Sequence, residues 1–283
     1  MKYRTDLAVE GVAYASDSKG ITQKKRGIAF KTTEIVIAND EHKKTIGKGK
    51  GRYITLESEN LGKFNDSYKE MALELADELK ELIPDGEALV VGLGNKDITP
   101  DALGPQTAAK VLATRHLRDE LSAEEDAFLT SLRRVSVFAG GVLGQTGIET
   151  AEIVKAISRE IAPSVIIVVD ALACSEISRL GTTIQISDSG ISPGSGVANT
   201  RKELSKQVFG VPVIAVGVPT VVDMYTIAES LTGDKPQGSG MPNMMVTPRD
   251  IDRLTERAAQ LIAFGINLAL QPDMTFEDVR GLF

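Results

Sequence analysis

Asp101 stands in the run TPDALGP and Asp170 in the run VDALA. Asp170 closes the most apolar stretch of the chain, VIIVV at 165–169. A carboxylate there is at least partly buried, and burial makes ionisation costly and raises its pKa. The ordinary role of Asp170 is to cap the turn over 171–178, and that of Asp101 is to cap a helix beginning near Gly104. Singly, each aspartate reads equally as a cap or as a catalyst. Both follow strands of one sheet at its carboxyl edge, so they can approach each other. Two carboxylates in close contact cannot both ionise, and they share a proton. One then activates a water while the other protonates a scissile amide, and the pair titrates as a unit.

Other chemistries find little footing. The only histidines are His42 and His116, so a Ser-His-Asp triad has few ways to form. His116, in TRHL, reads as a half-buried structural residue on a helix. Cys174 is the only cysteine and closely follows a buried strand, so a small core residue is its expected role. No HExxH or CxxC spacing supports zinc, and no metal is assigned. GKGKG at 47–51 lacks the P-loop spacing. Gly92-Leu93-Gly94-Asn95 lacks the third glycine of a dinucleotide fingerprint, since position 97 is Asp97. That turn is better suited to aiming backbone N–H groups at a developing oxyanion.

The elements that must position these residues follow from hydrophobic periodicity. The first 60 residues hold two strand-like runs, 34–38 and 53–56, around a polar, basic segment at 39–52 that reads as a solvated loop. From residue 64 helices and strands alternate. Helices are expected at 65–82, 105–117, 148–161, 220–231 and 247–270, the last opening on Thr247 as N-cap and Pro248. Strands are expected at 88–93, 135–138, 165–169, 182–186 and 211–216. This alternation predicts a single α/β domain with a mostly parallel twisted sheet and helices on both faces. Ligands bind outside the carboxyl ends of such strands. The loops that follow the five strands are rich in Gly, Ser, Thr and Asp, which suggests a built cavity. Residues 232–243 form the best candidate for a mobile loop.

Composition bounds the rest. A chain of 283 residues with 42% hydrophobic and 25% charged residues can bury a large core without staples. The single cysteine excludes an internal disulfide framework and fits a reducing interior. A net charge of −7 argues against direct nucleic-acid binding. No apolar run approaches the ~20 residues of a membrane helix, and the start MKYRTDLAVE has no signal-peptide pattern, so a cytoplasmic protein with no membrane contact is expected. Taken alone, RTDLAVE reads as a disordered end or an edge strand.

The runs RTDLAVE, VGLGNKDITPDALGP, VLATRHL, GQTGIET, VDALA, TIQISDSGISPGSGVANTRKELS and GVPVIAVGVPTVVD together resemble the germination proteases of spore-forming bacteria. The resemblance runs from residue 4 to the C-terminal helix. It implies a phosphorylase/hydrolase-like fold related to the hydrogenase-maturation proteases. It implies an endopeptidase that degrades small acid-soluble spore proteins at germination, acts in the forespore or spore core, needs no cofactor and assembles as a homotetramer. The family's proposed catalytic aspartates fall on Asp101 and Asp170. Its members are zymogens that remove their own N-terminal peptide. Because Thr5 to Glu10 is similar to the family's substrate site, the resemblance implies self-cleavage between Asp6 and Leu7. Residues 1–6 are then a propeptide, and 7–283 the catalytic domain, with 7–60 an irregular part carrying added strands. An acidic residue before the cut calls for a basic pocket, with Arg115, Arg201 and Lys202 as candidates. Backbone amides near Gly92, Gly94 and Asn95, or Gly140 and Gly141, are the candidates to polarise the scissile carbonyl. Bacillus-type members carry a longer insertion before the final helix, where this chain has only 232–243. Two rival readings use the same sheet edge: a metal-dependent peptidase like the hydrogenase-maturation proteases, and a non-enzymatic peptide- or nucleoside-binding module.

Overall fold

The computed structural model describes residues 5–13, 20–41, 43–63, 66–117, 127–194, 201–233 and 244–282. In the first part of the chain the elements are α1 (Ala8–Ala13), β1 (Ile21–Arg26), β2 (Lys31–Ile37), α2 (Lys43–Ile46), β3 (Gly51–Glu57), α3 (Tyr68–Lys80) and β4 (Ala88–Gly92). A 3-10 turn at Thr99–Asp101 leads into α4 (Leu103–Ala108), then α5 (Ala127–Ser131), β5 (Val135–Phe138), α6 (Leu143–Thr146), α7 (Thr150–Ile161) and β6 (Val165–Cys174). The remainder comprises β7 (Thr183–Ser187), α8 (Lys206–Phe209), β8 (Val213–Asp223), α9 (Met224–Thr232), β9 (Met245–Val246), α10 (Ile251–Leu270) and α11 (Phe276–Arg280).

One sheet carries all nine strands in the order β1-β2-β3-β7-β8-β6-β4-β5, with β9 paired to β8. Its centre, β8-β6-β4-β5, is parallel. The other half is antiparallel, so the sheet is mixed and the mostly parallel expectation holds only at the centre. The first 60 residues supply three of the antiparallel half's four strands, β1, β2 and β3. The four-residue β1–β2 connection can join only antiparallel neighbours, and β3 then adds to the edge of β7, which itself runs antiparallel to β8.

The two faces are covered differently. On one, α3, α4, α10 and α11 bury Leu75, Leu79, Leu103, Ile262 and Phe264 against Val90, Ile167, Val169, Ile186 and Val216. On the other, α7 covers Val91, Ile166 and Val168 through Ala151 and Val154. Farther along that face, α1 and α2 cover Ile35, Ile37 and Tyr53 through Ala8 and Ile46. Between these two covers lies the part of the sheet that forms the cleft.

Four expected boundaries move, each because a tertiary partner holds the chain. The β6–β8 ladder runs from Ile166↔Val213 to Cys174↔Val222, well past residue 169. Asp170 is therefore a strand-interior residue and caps no turn. Residues 220–223 likewise stay in β8, and Asp223 caps α9 by accepting the Thr226 N–H at 3.0 Å. The helix expected over 105–117 stops at Ala108, where Asn267 of α10 binds the Leu112 N–H and the Lys110 carbonyl, both at 2.9 Å. Thr247 does not cap α10: its hydroxyl donates to the Thr220 carbonyl at 2.8 Å, and the helix starts at Ile251. Most of the 232–243 segment lies outside the described residues.

Candidate functional site

β4 ends at Gly92, opposite Val169, so β6 extends beyond its neighbour from Asp170 onward. The chain leaving β4 turns back at Gly94 and enters the 3-10 turn that holds Asp101. Gly94 has φ +111°, and a Cβ there would stand 2.0 Å from the Asp101 carbonyl oxygen. The turn that presents Asp101 thus accepts only glycine at this position. Gly104 sets α4 between β4 and β6, since its own Cβ would lie 2.2 Å from the Leu93 oxygen and 2.5 Å from that of Val169. These two close approaches fix Asp101 over the end of β4, beside Asp170.

Asp101 is not a cap for α4. Its Oδ2 accepts the Asn95 N–H at 2.7 Å, back toward the turn. Burial raises its pKa, and that hydrogen bond offsets part of the effect. Asp170 is buried, and its Oδ1 accepts the Ala171 N–H at 3.0 Å. Burial pushes its carboxyl well above the usual carboxylate range, and the charges of Asp101 and then Asp6 push it further. Asp170 feels the charge of Asp101, and the two share a cavity of about 400 Å³ that is also lined by Asp6, Gly94, Leu143, Glu149, Arg201 and Lys202. A pair of coupled, partly dehydrated carboxyls holds a proton at pH values where isolated aspartates do not. One member can then act as acid and the other as base.

Asp6 enters this site on the N-terminal segment. Its N–H donates to the Ala173 carbonyl at 2.8 Å, and its Oδ2 accepts the Ala173 N–H at 2.9 Å. The next residue, Leu7, is fully buried against Leu172, Cys174 and Val222. Glu10 anchors the segment. Its buried carboxylate accepts from the Ser175 N–H (2.7 Å), the Ser175 hydroxyl (2.8 Å) and the Glu176 N–H (2.9 Å), and also from Thr5. Asp6 and Leu172 also line a second cavity, of about 640 Å³, bounded by Lys43, Lys48, Gln185 and Gly217. The N-terminal segment therefore lies between two hollows of one cleft.

Comparison with known proteins decides the family. The family model described as germination protease matches residues 5–233. The chain belongs to the germination protease family. It is 40% identical to the germination protease of Clostridium tetani over 99% of both chains. It is 39% identical to that of Caldanaerobacter subterraneus, covering 99% of this chain and 97% of the relative. The Bacillus velezensis germination protease is 34% identical, with 99% of this chain and 96% of the relative covered. The alignments with the first and last of these span 323 and 360 positions against 283 residues here, so those family members carry insertions that this chain lacks. Among solved structures, a [NiFe] hydrogenase maturation protease from Thermococcus kodakarensis matches at 17% identity, covering 66% of this chain and 96% of that one, with a TM-score of 0.35. Family membership makes the chain a protease.

The remaining expected site residues divide. Arg201 and Lys202 line the cavity of the aspartates. Arg115 does not: its N–H bonds to Val135, the first residue of β5, and its side chain faces Glu87 at 3.7 Å. That is the amino edge of the sheet, on the order of 13 Å away along β4 at roughly 3.3 Å per residue. Gly92 packs beneath α4, where a Cβ would meet the Gly104 oxygen at 2.3 Å. The Asn95 N–H is already held by Asp101, which leaves it unavailable to a substrate carbonyl. Gly140 and Gly141 precede Val142 and Leu143, which do line the cavity, but are not themselves part of its wall. His116 is exposed rather than half-buried, His42 lies outside the described residues, and Cys174 is buried in the core. Two site residues escaped the sequence reading. Lys48, in the stretch taken for a solvated loop, is half-buried; burial lowers its pKa, and the charges of Asp6 and Glu10 pull it back up. Gln185 is buried on β7. Its signal was present: Thr183, Gln185 and Ser187 make every second residue of TIQIS polar, and all three are buried.

Proposed function

We propose that this chain is an endopeptidase that starts the degradation of small acid-soluble spore proteins in the germinating spore. It is made as a zymogen and removes its own residues 1–6 by cutting between Asp6 and Leu7. Asp101 and Asp170 share one proton. The ionised member takes a proton from water, and the protonated member gives one to the departing amide nitrogen. The observation that carries this reading is the shared cavity in which burial raises both carboxyls and the charge of Asp101 raises Asp170 further, with Asp6 bound at its wall. Arg201 and Lys202, which line the same cavity, suit an acidic residue before the cut, and Lys48 lines the adjoining cavity that Asp6 also lines.

Mass spectrometry of the purified full-length chain, held at a series of pH values, tests this directly. The wild type loses residues 1–6 and digests a small acid-soluble spore protein added in trans, in the presence of chelator. Asp101→Asn and Asp170→Asn each lose at least about 10²-fold in both reactions, the lower end of what a general acid or base supplies. Wild-type rates in either variant would discard the pair, and abolition by chelator alone would favour a metal-dependent peptidase.

A further inference from the structure

We propose that Gln185 polarises the scissile carbonyl and reads the main chain on both sides of the cut; this rests on the reading of Asp6–Leu7 as the processed bond. The Gln185 side-chain amide makes two hydrogen bonds to the N-terminal segment. Its Nε2 donates to the Asp6 carbonyl oxygen at 2.8 Å, and its Oε1 accepts the Ala8 N–H at 2.6 Å. The first partner is the carbonyl of the bond proposed to break. The second is the amide one residue beyond Leu7. A primary amide carries a donor and an acceptor side by side, and here they bracket the Asp6–Leu7 bond without touching a side chain.

The sheet register explains how this residue reaches the reacting bond. Asp170 of β6 and Gln185 of β7 are both paired with Gly217 of the intervening β8. Directly opposed residues share a face of the sheet. Asp170 and Gln185 therefore rise from the same face, on either side of a position with no side chain. Two ladder spacings put their Cα atoms roughly 9.5 Å apart. A peptide crossing between them meets a carboxyl from one strand and an amide from the other. The Asp6 segment does this, bonding to Ala173 of β6 and to Gln185 of β7. Both Gln185 and Asp170 are buried, so the donor acts in a site from which most water is excluded.

In the reaction, water adds to the Asp6 carbonyl carbon and gives a proton to the ionised aspartate. Negative charge grows on the carbonyl oxygen, where the Gln185 N–H already points. The carbon–nitrogen bond to Leu7 then breaks, the other aspartate protonates that nitrogen, and the products are the Asp6 carboxyl and the Leu7 amine. Removing one donor of this kind costs about 10²–10³-fold in turnover.

The test uses the full-length chain with two variants, Gln185→Met and Gln185→Glu, and two substrates: its own N-terminus and a synthetic peptide of residues 1–13. Gln185→Met is expected to cut both about 10²-fold more slowly, with kcat falling much more than KM changes. Gln185→Glu keeps an acceptor for Ala8 and loses the donor when ionised. Its rate relative to wild type is expected to rise as pH falls and the carboxyl regains a proton to donate. A purely structural role would give no such trend, and this ratio decides the matter if Gln185→Met fails to fold. Cutting at Asp6–Leu7 by Gln185→Met within about threefold of wild type overturns the proposal and leaves the processing reading intact. Wild type that cuts elsewhere, or leaves both substrates whole at every pH, overturns the processing reading and this proposal with it.

Discussion

Asp170 is held in a state that opposes folding at neutral pH. Its carboxyl is raised by burial and by Asp101 and Asp6, while an aspartate in the unfolded chain titrates near 3.9. Between those two values the folded chain binds more protons than the unfolded one, so stability falls as pH rises through that window. Below the unfolded value both states are protonated and the effect vanishes. Asp101 contributes in the same direction. Asp170→Asn removes the charge and keeps an oxygen to accept the Ala171 N–H. The variant is therefore expected to melt above wild type at pH 7 and together with it near pH 3, the gap widening by up to about 1.4 kcal/mol per pH unit across the window. Melting curves at four or five pH values check this. A variant that melts at or below wild type throughout would mean that Asp170 is not strained in the fold. Catalytic groups are where stability is commonly given up for function.

At the scale of elements, the site depends on how closely α4 seats on the sheet. Gly104 faces backbone oxygens of both Leu93 and Val169, which no rotamer change can move aside. Gly104→Ala is expected to cost about 3 kcal/mol, the upper part of the overpacking range, and to lower activity by shifting Asp101, which enters α4 through Ala102. Urea unfolding together with the processing assay checks both, and unchanged stability would show that α4 can slide without penalty. The same elements show what was legible in the sequence. Apolar runs gave β4, β5 and the start of β6, because buried parallel strands need uninterrupted aliphatics. Asp101 and Asp170 were each legible singly as either a cap or a catalyst, and the likeness of TPDALGP and VDALA to the family pattern favoured the catalyst. Strand ends were less legible. Asp170 reads as a break in VIIVV, yet pairing with β8 carries β6 four residues past it. The antiparallel half of the sheet and Gln185 were hidden for a related reason. Which edge β3 joins, and which buried polar residue meets the N-terminal segment, depend on partners more than 100 residues away.

For the whole molecule, the N-terminal segment is a structural part as well as the proposed first substrate. Thr5 and Asp6 tie it down through Glu10, both main-chain groups of Ala173, and Gln185. Leu7 and Glu10 stay behind after a cut between Asp6 and Leu7, and Glu10 keeps its bonds to Ser175 and Glu176. The remaining segment 7–13 is thus expected to stay docked, while at least five bonds made by Thr5 and Asp6 disappear. At about 0.5–1.5 kcal/mol for each hydrogen bond, the loss comes to roughly 2.5–7.5 kcal/mol. A chain of this size melts about 2–4 °C lower for each kcal/mol lost. The processed protein is therefore expected to melt on the order of 5–30 °C below the zymogen. Asp6 also lines both cavities, with Leu172, so its departure is expected to widen the way between them. Calorimetry on the full-length and self-processed chains reads the loss of stability, and hydrogen exchange over residues 7–13 reads whether the new N-terminus stays docked. Retained protection with a lowered melting point is the expected combination. A processed chain as stable as the zymogen would mean that residues 5 and 6 are not held as these bonds require, and exchange spreading through α1 would mean that Glu10 alone cannot keep the new N-terminus in place.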